Sequence, residues 1–127
     1  MQETRDTQSI ILPTADWEKV ENEIDDVINV AVATKNPDYA LTYGYKMIKD
    51  VRLKGVAMAK LLYEISENWS KFDTEEDVGD AVDKAGICPR TTFYKYAMMY
   101  KYVLVGHPEL AVKPIEGLIM ITAAARE

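Results

Sequence analysis

Apolar residues recur at steps of three and four along most of this chain. That is the period of helix faces packed on a common core, and no segment alternates with the strand period of two. The first stripe, Trp17, Val20, Ile24, Val27, Ile28 and Ala31, predicts a helix opened at Thr14 and closed before Asn36-Pro37. Asp16 and Glu18 stand near its start, where the helix dipole favours acids. Residues 1–13, which include Ser9-Ile10-Ile11-Leu12-Pro13, read as an extended N-terminal arm. Asn36-Pro37-Asp38 offers an N-cap, a first-turn proline and an acid for a second helix, running to about Lys49. A third spans about 53–72, striped by Leu53, Val56, Ala57, Leu61, Ile65 and Trp69. Thr74, followed by Asp77, is the expected cap of a short fourth helix, with Val78, Ala81, Val82 and Ala85 inward and Gly86 at its end. The fifth begins near Pro89 and runs to about Val105, broken by Gly106-His107-Pro108. Lys113-Pro114 opens a sixth along Ile115, Leu118, Ile119 and Thr122. The expectation is an all-α, compact bundle of about six helices over 14–127. Its last helix runs into Ala123-Ala124-Ala125 without a C-cap, so the natural chain is expected to continue, or this end to dock on a partner.

Composition narrows the class. A 127-residue chain with 48% hydrophobic residues buries enough surface to fold without disulfide or metal. The single cysteine, Cys88, has no internal partner, which points to a reducing, cytoplasmic setting. The longest uncharged runs, such as Gly117–Ala125, fall far short of the roughly 20 apolar residues of a membrane span. The net charge of −6 argues against bulk binding to nucleic acid, yet it is distributed in blocks. Residues 1–45 carry −6, 46–63 carry +4, 64–83 carry −7 and 84–127 carry +3.

The last boundary falls inside the most informative stretch, 74–105. No acid occurs between Asp83 and Glu109, and five of the twelve aromatic residues fall in Phe93–Tyr102. On a helical projection Phe93, Tyr96, Ala97, Tyr100, Val103 and Leu104 form the core stripe of the fifth helix. Arg90, Thr91, Tyr94, Lys95, Met98, Lys101 and Tyr102 are assigned to the open side. Cations neutralise phosphates, hydroxyls reach phosphates or base edges, and helix N-termini bind phosphate. The stretch resembles the helix-turn-helix family of DNA-binding modules. Ala85-Gly86-Ile87 matches the end of that family's first helix and its turn, and Arg90-Thr91-Thr92 matches the polar opening of its recognition helix. Phe93, Tyr96 and Ala97 stand where that helix is seated. The turn is one residue longer than usual, and Cys88 replaces the common Ser or Thr. More loosely, the helices around the motif resemble the ParB/KorB-like central domains of partition proteins, with Lys113–Ile119 as the helical segment that follows. That family's nucleotide-binding arginine motif is not visible in this chain.

The resemblance implies sequence-specific binding of double-stranded DNA, as a transcriptional regulator or a partition-like organiser of a DNA site. Its expected contacts are Lys84, Arg90, Thr91, Thr92, Tyr94, Lys95, Met98 and Lys101. A homodimer is expected, with the Trp17–Ala31 helix as its surface. Lys46, Lys49, Arg52, Lys54 and Lys60 form a second basic block that either flanks the DNA or balances the acidic first helix. The alternatives are a helical protein–protein adaptor without nucleic-acid binding, and a fifth helix that only packs, its cations paired with the neighbouring acids of 73–83. No catalytic set is visible: His107 is the only histidine, and Cys88 lacks a CxxC partner. One His and one Cys cannot furnish a usual zinc site, and no glycine belongs to a GxGxxG or P-loop. No enzyme activity, metal, cofactor, small-molecule substrate or membrane association is therefore expected.

Overall fold

The computed structural model describes the backbone of residues 2–49 and 54–105, and the side chains of 17–49 and 55–105. Among the described residues the chain is an all-α bundle without strands, built of α1 (Gln2–Ala33), α2 (Tyr45–Ile48), α3 (Lys54–Asn68), α4 (Val78–Lys84) and α5 (Arg90–Met99). A π-helical segment, Tyr39–Gly44, leads into α2, a 3-10 turn, Trp69–Lys71, follows α3, and a π-helical segment, Tyr100–Leu104, extends α5. The expected sixth helix, the break at 106–108 and the Lys113–Ile119 segment lie outside the described residues.

The central element is α3. Val56, Ala57, Met58, Ala59, Lys60, Leu61 and Leu62 are all buried, so this stretch is enclosed on every side. Against it pack α1, α2 and α5. The stripe expected on α1 holds: Trp17, Ile24, Val27, Ile28 and Ala31 are buried and Val20 packs at the edge. The helix itself starts at Gln2, so 2–13 are helical in backbone rather than the extended arm expected. Pro13 does not end it, since a proline inside a helix removes one backbone donor without forbidding the helix.

Local chemistry sets the ends. At the close of α1, the Asn36 N–H bonds to the Ala31 carbonyl at 2.9 Å and the Lys35 N–H to the Val32 carbonyl at 3.1 Å. This Schellman closure puts its C′ residue in the left-handed region, and here that residue is Lys35, with φ +52°. Asn36 then caps the next helical stretch, its Oδ1 accepting from the Tyr39 N–H at 3.3 Å. The end of α4 repeats the device with the usual glycine. Ile87 N–H reaches the Val82 carbonyl and Gly86 N–H the Asp83 carbonyl, with Gly86 at φ +78°. Ile87, just beyond, is buried as the apolar plug of the motif. The cap of α4 differs from expectation. Asp77, not Thr74, accepts from the Asp80 N–H at 3.2 Å, while Thr74 Oγ1 accepts from Glu76 N–H in the preceding turn. The helix begins three residues later than expected because the 69–77 connection is held elsewhere. Trp69 Nε1 donates to the Glu76 carbonyl at 2.8 Å and Phe72 is buried beneath.

Candidate nucleic-acid interface

The outward side of α5 is defined by what its other side buries. Phe93, Ala97, Tyr100, Val103 and Leu104 are buried and Tyr96 half-buried, as the stripe predicts. Met99, outside both expected sets, is fully buried too, because α3 covers α5 beyond the edge of the predicted stripe. Thr91, Tyr94, Lys95, Lys101 and Tyr102 are exposed, and Thr92 and Met98 are half-buried. Tyr94 stands edge-on to Phe93 with ring centroids 4.9 Å apart, so its ring leans on the core while its hydroxyl remains outside. Lys101 Nζ lies 5.4 Å from the centre of the Tyr102 ring, within cation–π range. Among the described residues Lys95 and Lys101 make no ion pair.

Arg90 differs from the expectation in its neighbours. At 100° per residue it projects only about 60° from Phe93, so it is exposed as expected but stands at the edge of the core stripe. There it meets α4. Its guanidinium lies 3.2 Å from Asp77 and 3.8 Å from Asp80, donates to Tyr94 Oη at 3.3 Å, and sits over the Tyr94 ring. Gly79 makes the seat: a Cβ there would stand 2.7 Å from Arg90 Cγ, so the arginine stem packs on bare backbone. Lys84 is exposed and loosely paired with Glu76 at 3.9 Å, a contact of little energetic weight. Of the eight expected contact residues, six are exposed, and four of these, Thr91, Tyr94, Lys95 and Lys101, stand free of α4 on α5 and its π-helical extension. Thr92 and Met98 are partly covered, Arg90 is engaged by α4, and Lys84 lies at the end of α4. Asp77, Gly79 and Asp80, which hold Arg90, are not among the residues expected here. Their signal in the sequence is the acidic block that ends shortly before α5.

Beneath α5 lies a polar cluster built on a residue expected at the surface. Lys60, counted in the second basic block, is buried. Its Nζ donates to Asp25 at 2.7 Å and to Glu64 at 3.4 Å, and lies 5.3 Å from the centre of the Tyr100 ring. Tyr100 donates its hydroxyl to Glu21 at 2.9 Å. Burial pulls the Lys60 pKa down, but the hydrogen bond to Asp25 and the charges of Glu64 and Asp25 outweigh it, leaving the ammonium more firmly protonated than usual. The Tyr100 hydroxyl is raised, chiefly by burial, against the opposing pull of Lys60. Lys60 is therefore no DNA contact; it joins α1, α3 and the π-helical end of α5. The clue is Glu64 four residues later, an i,i+4 pair flanking the apolar stripe of α3. Lys46 and Lys49 are exposed, and the side chains of Arg52 and Lys54 lie outside the described residues.

Cys88 is half-buried, and its thiol is pushed up by burial and by Asp83, the reverse of what activates a nucleophile. Among the described residues no group of His, Cys, Asp or Glu is arranged to hold a metal, and no helix is long and apolar enough to cross a membrane. No protein-family model, curated protein or solved structure matches this chain.

Proposed function

We propose that this protein binds double-stranded DNA sequence-specifically through the outward side of α5, as a regulator of transcription or an organiser of a DNA site. One observation carries the reading: Thr91, Tyr94, Lys95 and Lys101 are exposed together on a helix whose opposite side is anchored in the core. A helix held in this way presents cations and hydroxyls in a fixed register, as major-groove readout requires. The preceding short helix and glycine-closed turn support the helix-turn-helix comparison. Lys95 and Lys101 supply the phosphate-neutralising charge. Arg90, engaged by Asp77 and Asp80, orients the start of α5 against α4 and holds the Tyr94 hydroxyl. One such module reads only a few base pairs, so a homodimer belongs to the proposal. The Trp17–Ala31 helix remains the surface proposed for it; its apolar stripe lies in the protein's own core, so its outer, acidic side is the part open to a second copy.

The test is fluorescence anisotropy with a random-sequence duplex and with duplexes selected from a random pool, across a salt series. Binding weakens with salt. Lys95→Ala and Lys101→Ala each reduce the slope of log affinity against log salt, by roughly 0.9 for every phosphate no longer neutralised. No salt-dependent binding by the folded wild-type protein, or an unchanged slope in the folded double variant, overturns the reading.

A further inference from the structure

A second surface is built by α1 and the π-helical segment Tyr39–Gly44 with α2. Neither contributes to the outward side of α5. Glu23, Asp26, Val27 and Val30 lie at i, i+3, i+4 and i+7 on one row of α1, and Tyr39, Tyr43 and Met47 repeat at i, i+4 and i+8 on the next helical stretch. The two rows line a groove of about 330 Å³. Two of its apolar residues are unusually open, Val30 at 44% and Tyr43 at 49% exposed, while Tyr39 and Met47 are half-buried and Val27 is buried at its floor. The Tyr39 and Tyr43 rings stack with centroids 5.1 Å apart and planes inclined by 11°, which holds Tyr43 in place at the groove. Glu23 and Asp26 supply carboxylates along the other wall, and among the described residues neither makes an ion pair.

We infer that this groove docks a short peptide segment of a partner protein, one that carries arginine or lysine beside an aliphatic or aromatic residue. The chemistry selects that occupant. Val30 and Met47, over the buried Val27, accept an apolar anchor, while a tyrosine ring and two carboxylates favour a cation. The volume suits one or two side chains, near the lower end of the range for ligand sites. The negative wall repels nucleic acid and acidic peptides, so this surface and α5 select partners of opposite charge. The region that carries the groove is also acidic, net −6 over residues 1–45, which draws a basic segment from a distance.

The experiment is selection from a random peptide display library on the immobilised full-length chain. Synthetic copies of the enriched peptides are then titrated by calorimetry. Enriched sequences pair Arg or Lys with an apolar residue. Tyr43→Ala weakens them by about tenfold or more, as removal of an anchoring aromatic does. Glu23→Gln with Asp26→Asn weakens them and flattens their salt dependence. Both variants keep the wild-type melting temperature and the wild-type affinity for duplex DNA, which separates this surface from α5. Failure to enrich any peptide, enrichment of acidic or uncharged ones, or affinity indifferent to Tyr43→Ala overturns the inference. So does self-association, measured by sedimentation, that Tyr43→Ala abolishes, since the groove would then seat a second copy of this chain.

Discussion

Replacing Lys60 by methionine removes a charge from beneath α5 while keeping most of the side-chain volume. The ammonium sits in a buried residue, but its partners differ: the Asp25 side chain is 48% exposed and that of Glu64 20%. Breaking a fully buried pair costs about 3–5 kcal/mol, and losing an exposed one roughly 0.2–1 kcal/mol. Lys60 lies between these limits, so Lys60→Met should cost about 2 kcal/mol, chiefly because Glu64 keeps its charge without its partner. Lys60→Ala should cost about 1–2 kcal/mol more, as the apolar stem leaves a gap between α1, α3 and α5. For a chain of this length, about 2 kcal/mol corresponds to a fall of roughly 6–8 °C in Tm. Urea unfolding followed by circular dichroism measures each variant, and a double-mutant cycle with Asp25→Asn isolates the pair at about 1 kcal/mol. A Lys60→Met protein as stable as wild type would refute the reasoning. The desolvation of the ammonium would then cancel its ion pairs, and the cluster would not hold the end of α5 in place.

The same cluster dictates the alkaline limit. Lys60 and Tyr100 both have folded-state pKa values above their unfolded ones. Their contribution is therefore complete below about pH 10 and lost as pH rises toward the folded values. Urea midpoints should fall steeply above about pH 10, and Tyr100→Phe should soften that fall. In α5, Phe93→Ala should cost roughly 3–5 kcal/mol, and Tyr94→Ala within about 1 kcal/mol, while Tyr94→Ala weakens duplex binding; equal destabilisation of the two would mean that α5 is rotated. At the helix ends, Lys35→Gly should stabilise by roughly 0.5–1 kcal/mol by relieving a left-handed lysine, and Gly86→Ala should destabilise by about 1–2 kcal/mol. Thermal melts check both, and opposite signs from these would refute the two Schellman closures.

Periodicity carries the fold class because burial repeats with the helix. The stripes of α1 and α5 are legible because each has one continuous apolar row, and the Asn36 cap and Gly86 stop because those residues act on their own backbone. The start of α4 is not legible in the same way. Thr74 and Asp77 are both capable caps, and Trp69 makes the choice, since its hydrogen bond to Glu76 shapes the connection. Of the candidate interface, the exposed row Thr91, Tyr94, Lys95 and Lys101 follows from the helix period alone. Which cations stay free does not. Arg90 and Lys60 are ordinary basic residues in the sequence, and only the packing of α4 on α5 brings Asp77 to one, and of α1 on α3 brings Asp25 to the other. Short-range order determines where a side chain points from its own helix. Tertiary structure decides what it meets, because an ion pair between residues 35 positions apart depends on how helices pack, which no local pattern encodes.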